Sequence, residues 1–137
     1  MAARTQPAAG VARLLDANLN RAREGLRVIE DTARFLWDDG AAYRRLRALR
    51  HRLHEATAVS YKKLVDARDS ATDPGRRVPE GARASVAAVV AANMRRAQEA
   101  VRVLEEYGKI FSKGAGAEFK AIRYALYREE KRIVNRK

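Results

Sequence analysis

Residues 18–31 read NLNRAREGLRVIED, and residues 93–106, which lie 75 positions further along the chain, read NMRRAQEAVRVLEE. The two segments share Asn, Arg, Ala, Glu, Arg, Val and Glu at the same places, and most of the remaining changes are conservative. Repeated apolar residues would indicate only that two helices have similar buried faces. Repeated Asn, Arg and Glu side chains indicate that a polar arrangement is present twice, which a packed core does not require.

An apolar stripe with alternating spacings of four and three residues runs through each copy and predicts a long amphipathic helix. The first stripe consists of Val11, Leu15, Asn18, Ala22, Gly25, Ile29, Thr32 and Leu36. The second stripe consists of Val86, Val90, Asn93, Ala97, Ala100, Leu104, Tyr107 and Phe111. The sequence lacks the apolar–polar alternation of strands, so the predicted fold class is all-α.

A second helix is predicted after each copy, because the repeat continues at an offset of 73 residues. The corresponding pairs are Leu46/Phe119, Leu49/Ile122, Arg50/Arg123 and Leu53/Leu126. The repeated unit is therefore a helical hairpin, and two hairpins can bury each other's stripes as a pseudo-two-fold four-helix bundle. We expect a disordered tail over residues 1–10 and a single helical domain over 11–137, made of a hairpin over 11–66, a long central loop over 67–82 and a hairpin over 83–135.

Turn-forming residues mark the predicted helix ends. Pro7 and Gly10 fall in the predicted tail. The sequence Asp-Asp-Gly at 38–40 is expected to end the first helix, with Gly40 in the left-handed conformation. The sequence KGAG at 113–116 is expected to separate the last two helices.

The composition narrows the classes of function. A length of 137 residues fits one domain, and the absence of cysteine excludes disulfides, thiolate metal sites and cysteine nucleophiles. No apolar run approaches membrane-spanning length and no signal peptide is recognisable, so a cytoplasmic protein is expected. The net charge of +12 favours anionic partners, and the alternatives are solubility or a GC-rich genome that favours Arg. Charge alone does not separate a nucleic acid from a small phosphate ester.

The repeated polar residues flank small residues on the apolar stripe. They form two matched sets, Asn18, Arg21 and Glu24 in one copy and Asn93, Arg96 and Glu99 in the other. The small residues permit either a close approach of two helices or a cavity, and a seam Asn can simply fix helix register. Because the arginine fork suits phosphate oxygens and Asn can bind the edge of a ring, we favour a substrate- and phosphate-binding role for both sets.

Two further arginines recur beside the stripes of the second helices. Arg50 and Arg123 are candidates for phosphate binding, but they could instead pair with internal carboxylates. Arg27, Glu30, Asp31 and Arg34 are expected to point away from the stripe. At spacings of four residues they predict ordinary surface ion pairs, Arg27 with Asp31 and Glu30 with Arg34.

The central loop contains the residues that the helices lack. Asp69 and Asp73 lie four residues apart beside Arg68. Magnesium is often held by one or two carboxylates together with substrate phosphates, so these aspartates predict a metal site and, with Arg68, candidate catalytic residues. The alternative is that Asp-Pro-Gly at 73–75 only forms a turn.

The chain resembles a known family through five of its segments. They read LLDANLNRAREGLRVIEDTARF at 14–35, LRALRHRL at 46–53, ARDSATDPG at 67–75, AANMRRAQEAVRVLEEYGK at 91–109 and FKAIRYALY at 119–127. Together they resemble the hydroxymethylpyrimidine phosphate kinases of bacterial thiamine biosynthesis that are not of the ribokinase type and occur alone or fused in front of thiamine phosphate synthase. The likeness covers residues 11 to about 133, and Asp73-Pro74-Gly75 departs from the family's Asp-Val-Gly.

The resemblance implies a kinase that uses ATP and Mg²⁺ to convert hydroxymethylpyrimidine phosphate into its pyrophosphate. On this hypothesis the repeated arginines and Arg68 bind phosphates, while Asn18 and Asn93 contact the aminopyrimidine or orient those arginines. Glu24 and Glu99 would hold the guanidinium groups or bind metal, and Asp69 and Asp73 would bind Mg²⁺. The implied partners are a phosphorylated pyrimidine and a nucleotide, with functional coupling to thiamine phosphate synthase.

Two other classes of function stay open at this point. One is a non-catalytic or regulatory module that binds a phosphorylated metabolite, and the other is a basic nucleic-acid-binding bundle. Few aromatic residues accompany the arginines, which disfavours nucleic acid. The site could lie within one chain or between the two copies of a homodimer.

Overall fold

The computed structural model describes residues 5–57, 59–110 and 113–137, and their side chains except those of 5–8 and 113. Its elements are α1 (Thr5–Asp31), a π-helical turn (Thr32–Leu36), α2 (Gly40–Ala56), α3 (Tyr61–Ala67), α4 (Val86–Gly108) and α5 (Lys113–Val134). No strand occurs in these ranges, which confirms the predicted all-α class. None of the helices in the described ranges is long and apolar enough to cross a membrane.

The helices bury one continuous core. α1 packs against α2, α3 and α4, and α5 packs against α2 and α4. The largest fully buried apolar side chains are Leu26, Ile29, Leu46, Leu53, Met94, Val101, Leu104, Phe119, Ile122 and Leu126. These contacts agree with two packed helical hairpins, while the pseudo-two-fold symmetry of the bundle stays a prediction.

The buried stripe of α1 is wider than the predicted one. Leu19, Leu26 and Ala33 are buried although the heptad pattern omitted them, and Leu36 is 63% exposed although the pattern included it. A π-helical turn has more residues per turn than an α-helix, so residues towards its end, such as Leu36, are rotated away from the stripe. This turn explains why Leu36 faces solvent.

The start of α1 corrects part of the predicted tail. The helix begins at Thr5, so residues 5–10 are helical, and residues 1–4 lie outside the described ranges. Pro7 is compatible with this start, because the N–H groups of the first helical turn have no partner within the helix in any case.

The turn between α1 and α2 differs from the prediction in its left-handed residue. Asp38 has a φ of 50°, and no glycine in the described residues has a positive φ. Asp39 accepts a hydrogen bond from the N–H of Ala42 at 3.0 Å, and Gly40 is the first residue of α2. Asp tolerates the left-handed region, so Asp38 adopts the conformation that was expected of Gly40. Asp39 is the N-cap of α2, a position that favours Asp.

The predicted second helix is divided in two. α2 ends at Ala56, Thr57 is extended, and the hydroxyl of Ser60 accepts a hydrogen bond from Lys63 N–H at the start of α3. The break lets α3 fold back on α1, which buries Leu64.

Gly116 near the start of α5 and Gly108 at the end of α4 serve close packing, and the glycines of α5 do not break the helix. α5 already begins at Lys113, so the predicted break at 113–116 is wrong. A Cβ on Gly116 would lie 2.8 Å from Cγ of Lys109, and one on Gly108 would lie 3.2 Å from the Phe119 ring. Only glycine lets α4 and α5 approach this closely. Phe111, the last residue of the predicted stripe, lies outside the described residues.

Candidate functional site

A polar cleft of about 400 Å³ separates the exposed edges of α1 and α4. It is lined by Asn18, Arg21, Ala92, Arg96, Glu99, Ala100 and Val103. Four of the predicted site residues therefore meet at one surface, two from each copy of the repeat. Long-range helix packing brings them together, since the two copies are far apart in sequence.

The small residues of the repeat let these two helices touch. A Cβ on Gly25 would lie 3.0 Å from the carbonyl oxygen of Asn93 and 3.7 Å from Cβ of Ala97. Two turns before Gly25 on α1, Asn18 lines the cleft together with Ala100 of α4. Ala100 lies two turns after Asn93, so the two helices run in opposite directions. Of the two alternatives for the small residues, close approach is the one that the structure has.

The two repeated asparagines make the same contact. Nδ2 of Asn18 donates to the carbonyl oxygen of Leu14 at 2.9 Å, and Nδ2 of Asn93 donates to that of Val89 at 2.8 Å. Asn18 is buried, and its Oδ1 accepts no hydrogen bond from the described residues. A ligand in the cleft would therefore meet an amide oxygen whose orientation is already fixed by its own helix.

The arginine fork of Arg96 faces the cleft and already holds a carboxylate. Its Nη1 and Nη2 donate to the two carboxylate oxygens of Glu80, at 3.0 and 2.9 Å. This hydrogen bonding lowers the pKa of Glu80 and raises that of Arg96, to which Glu24 and Glu99 also contribute. Glu80 belongs to the loop between α3 and α4, and sequence reasoning missed it because nothing in a loop sequence indicates which helix it contacts.

Arg21 adds a second positive charge to the same site. It has no hydrogen bond or ion pair within the described ranges, yet its charge helps to lower the pKa of Glu80. The two repeated arginines thus both act on one anionic group. A bidentate fork and a second nearby guanidinium are features that phosphate-binding sites use.

Asn93 and Glu24 are the members of the predicted sets that do not line this cleft. Asn93 lies where α4 contacts Gly25 of α1. Glu24 lies beside a neighbouring cleft of about 280 Å³, together with Asn20, Arg23, Arg27 and Arg50. Its charge nevertheless contributes to the raised pKa of Arg96. Glu24 therefore stands at the border between the two clefts.

Arg50 and Arg123 pair with internal carboxylates, which was the alternative to phosphate binding. Arg50 donates to both oxygens of Glu30, with Nη2 to Oε1 at 3.1 Å, and Nε of Arg123 donates to Glu105 Oε2 at 2.8 Å. Glu30 and Glu105 are 1% and 5% exposed. The same buried ion pair is thus present in both halves, and neither guanidinium is free for a ligand.

This geometry corrects the predicted surface pair of Glu30 with Arg34. Glu30 follows Leu26 by four residues and so lies on the buried side of α1, towards α2, while Arg34 lies over the rings of Phe35 and Tyr43. The other predicted surface pair, Arg27 with Asp31, is confirmed at 3.2 Å.

The first residues of the central loop are anchored to α1. Arg68 donates to both oxygens of Asp16 at 2.8 Å, and Arg13 donates to the backbone carbonyl of Asp69 at 2.8 Å. Asp16 is 5% exposed, so Arg68 neutralises a buried charge. Asp16 is a site residue that was not predicted from the sequence, although its position next to Leu15 of the apolar stripe is a signal that it is buried with a partner.

The two loop aspartates form turns. Asp69 accepts hydrogen bonds from the N–H and hydroxyl of Thr72, which lower its pKa, and Asp73 accepts one from Gly75 N–H at 2.8 Å. Among the described residues no group of three or more His, Asp or Glu side chains is placed to hold a metal ion. These carboxylates fit only a cation that is also bound by a ligand's phosphates, and the magnesium site stays a prediction.

The fold and this site define an all-helical domain with an arginine-lined cleft between two antiparallel helices. The chain belongs to the ThiD2 family, whose model matches residues 13–132.

Curated relatives support the same assignment. The chain is similar to thiamine-phosphate synthases of Synechococcus sp. (strain CC9605), with 49% identity over 91% of this chain and 36% of that protein, and of Synechocystis sp. (strain ATCC 27184 / PCC 6803 / Kazusa), with 41% identity over 93% and 37%. A third, from Rhodopirellula baltica (strain DSM 10527 / NCIMB 13988 / SH1), is 42% identical over 85% and 32%. The chain spans about a third of the length of these relatives. No solved structure matches it significantly. The family and these relatives support the predicted connection to thiamine biosynthesis.

Proposed function

We propose that the chain transfers the γ-phosphoryl group of ATP to hydroxymethylpyrimidine phosphate. The observation that carries the proposal is the cleft in which Arg21 and Arg96, from the two copies of the repeat, act on one anionic group. The membership of the ThiD2 family supports it, as do relatives named for the synthesis of thiamine phosphate. In this assignment the Glu80 carboxylate occupies the position that a substrate phosphate takes when it binds.

The proposed reaction makes modest chemical demands on the protein. The bond between the γ-phosphorus and the β–γ bridging oxygen breaks, a bond forms from that phosphorus to an oxygen of the acceptor phosphate, and ADP leaves with the bridging oxygen. The acceptor oxygen is already anionic, so no general base is required. Catalysis of this kind depends on alignment and on neutralising charge, which Arg21 and Arg96 supply. Asn18 would orient the pyrimidine ring through its free oxygen.

Magnesium, if bound, would add to this neutralisation by supplying positive charge near the nucleotide phosphates. Asp69 and Asp73 are the residues that would hold it. Both oxygens of Asp69 accept hydrogen bonds from Thr72, whereas Asp73 accepts the Gly75 N–H through Oδ1 only. Arg68 would act indirectly, because its fork is committed to Asp16 and holds the start of the loop on α1.

A coupled assay tests the proposal. ATP, MgCl₂ and hydroxymethylpyrimidine phosphate are supplied to the folded protein, and formation of ADP and of the pyrimidine pyrophosphate is followed. Absence of turnover would refute the kinase assignment. Arg21→Ala and Arg96→Ala should each lower kcat/KM by about 100-fold while leaving helicity intact, since each removes a charged hydrogen-bond donor from the site of the acceptor phosphate.

A matched control for these two variants is Arg102→Ala. Arg102 lies on α4 in an exposed ion pair with Glu106 at 3.2 Å and does not line the cleft. It should retain wild-type kinetics, because the loss of a surface charge by itself does not disturb the site. If all three variants behave alike, the effect is one of overall charge and the assignment of Arg21 and Arg96 is wrong.

A second candidate function is binding without catalysis. The observation that favours it is that the chain spans only about a third of relatives named as synthases, as a metabolite-binding module attached to an enzyme would. Calorimetry separates the two functions. A module binds the pyrimidine phosphate and shows no effect of a nucleotide, whereas a kinase binds both and turns them over.

A further inference from the structure

A third cleft lies on the other flank of α1, enclosed by α1, the end of α2 and the start of α3. Its volume is about 470 Å³. It is lined by Asp16, Leu19, Asn20, Arg23, His54, Thr57, Val59, Ser60, Tyr61, Leu64 and Arg68. None of its residues lines the α1–α4 cleft. The polar chemistry of the domain therefore extends to two sides of α1.

This α1–α3 cleft combines an apolar floor with a polar rim. Leu19, Val59 and Leu64 are 5%, 8% and 3% exposed and form the floor. The Tyr61 ring is 76% exposed and stands at the rim. A flat heterocycle is the kind of group that such a cleft accepts, since the floor removes apolar surface from water and the ring offers an aromatic face.

The α1–α3 cleft continues along α1 into the smaller cleft that contains Glu24. Asn20 and Arg23 line both, so the two form one groove from Asp16 to Arg27. At 1.5 Å per residue this groove runs about 16 Å along the helix, which is long enough for a nucleoside and its phosphate chain.

The arginines along this groove differ in whether they are already paired. Arg68, Arg50 and Arg27 are paired with Asp16, Glu30 and Asp31. Arg23 is exposed and has no hydrogen bond or ion pair within the part of the chain that the structure describes. It lies where the two parts of the groove join, so its fork is the one available to an incoming anion.

The groove is not required by the architecture of the repeat. The residues of the second half that correspond to Asp16, Asn20 and Arg23 are Ala91, Arg95 and Gln98. The buried pairs that do stabilise both halves, such as Glu30 with Arg50, are kept in each copy. The second half has no arginine at the position that corresponds to Arg23, so the repeat does not explain this unpaired side chain.

We propose that this groove binds a nucleoside triphosphate, with the base over the Leu19–Leu64 floor beside Tyr61 and the phosphate chain on Arg23. The inference rests on the proposed function only in naming ATP as the nucleotide. The phosphate end of the groove lies at Glu24, the residue that borders the α1–α4 cleft. On this proposal the donor and acceptor sites are neighbours on the exposed side of α1.

Calorimetric titration with the magnesium complex of the non-hydrolysable β,γ-imido analogue of ATP tests the site. Arg23→Ala should weaken analogue binding by about tenfold or more, because it removes charged hydrogen bonds to phosphate. Arg95→Ala is the matched control, since it removes an exposed arginine at the corresponding face of α4, and it should change the affinity by less than about twofold. Arg21→Ala should weaken pyrimidine phosphate binding and spare the analogue.

A second probe separates the base from the phosphates. Inorganic tripolyphosphate should compete with the analogue, and Tyr61→Ala should weaken the analogue by about fivefold or more without affecting tripolyphosphate. Equal effects of Tyr61→Ala on both probes would overturn the placement of the base.

The outcomes for this groove and for the kinase assignment are distinguishable. If the coupled assay fails but wild-type protein binds the analogue and Arg23→Ala does not, the groove stands and the kinase assignment fails. If turnover occurs but Arg23→Ala leaves the analogue affinity and the KM for ATP at the level of Arg95→Ala, the groove is wrong and the kinase assignment stands. Wild-type protein that does not bind the analogue overturns the groove.

Discussion

Replacing Arg123 with methionine would leave the carboxylate of Glu105 buried without its partner. Nε of Arg123 lies 2.8 Å from Glu105 Oε2, its Nη1 also donates to the Tyr127 hydroxyl at 3.2 Å, and the two charged residues are 8% and 5% exposed. Methionine fills a similar volume, so the change removes charge and hydrogen bonds with little loss of packing.

Removing one partner of a buried ion pair costs about 3–5 kcal/mol of the free energy of unfolding. For a domain of this size we expect Tm to fall by about 10 °C or more. The double change Glu105→Leu with Arg123→Met should recover most of this loss, because well-packed apolar residues often replace a buried pair at little cost. Arg102→Met is the control at an exposed pair and should cost about 1 kcal/mol at most.

The cost should depend on pH. Burial favours a higher pKa for Glu105, but the hydrogen bond and charge of Arg123 outweigh it, so the pKa is lowered in the native protein. The pair therefore stabilises the wild type above the pKa of an unfolded Glu, about 4.3, and this is lost as the pH falls through the lowered native pKa. In Arg123→Met burial is opposed only by the weaker effects of the Arg102 and Lys109 charges, so the pKa of Glu105 rises. Protonation on acidification then relieves the penalty, so the stability difference should be largest at pH 7 and shrink towards pH 4.

Urea denaturation followed by circular dichroism at pH 7 and pH 4.5 measures this difference. Equal costs at both pH values, or a cost no larger than that of Arg102→Met, would refute the buried-pair argument. A variant with wild-type stability that no longer binds the pyrimidine phosphate would return Arg123 to the set of phosphate ligands.

Two further changes test the site and its helix contact. Glu80→Gln keeps the size of the side chain but removes the charge that occupies Arg96, so the affinity for the pyrimidine phosphate should rise by up to about fivefold in calorimetry, and an unchanged Kd would contradict the role of Glu80 as a competing anion. Gly25→Leu would push a side chain against the Asn93 carbonyl oxygen and should cost about 1–3 kcal/mol in urea unfolding, whereas Gly10→Ala, where a Cβ meets open space, should gain up to about 1 kcal/mol. Wild-type stability of Gly25→Leu would show that the two helices do not touch there.

Much of the helical architecture follows from local pattern. The four-and-three spacing in α1 and α4 predicted both long helices and correctly buried Leu15, Ile29 and Leu104, because helix periodicity depends on neighbouring residues. The pattern misplaced Leu36, since a π-helical turn changes the register without a marked signal in sequence. The break after Ala56 also has no marked signal in the sequence, because it depends on the packing of α3 against α1.

The candidate site was predictable in its residue types more than in its contacts. The repeat singled out Asn18, Arg21 and Arg96, and the structure brings these three residues to one cleft, while their binding role stays a prediction. It could not show that Arg50 was already occupied by Glu30, because which side of a helix is buried depends on the neighbouring helix.

The sequence by itself determined that this protein is all-helical and that it contains a duplicated hairpin. It also showed that arginines suited to binding anions occur in both copies. These are properties of periodicity and residue type, which are local. Only the tertiary structure decided which arginines are available. Arg50 and Arg123 became internal ion pairs, Arg96 bound a loop carboxylate, and Arg23 was left without a partner in the described residues. Whether a guanidinium is paired depends on which carboxylate the fold brings within hydrogen-bonding distance, and that distance is set by packing between segments far apart in the chain.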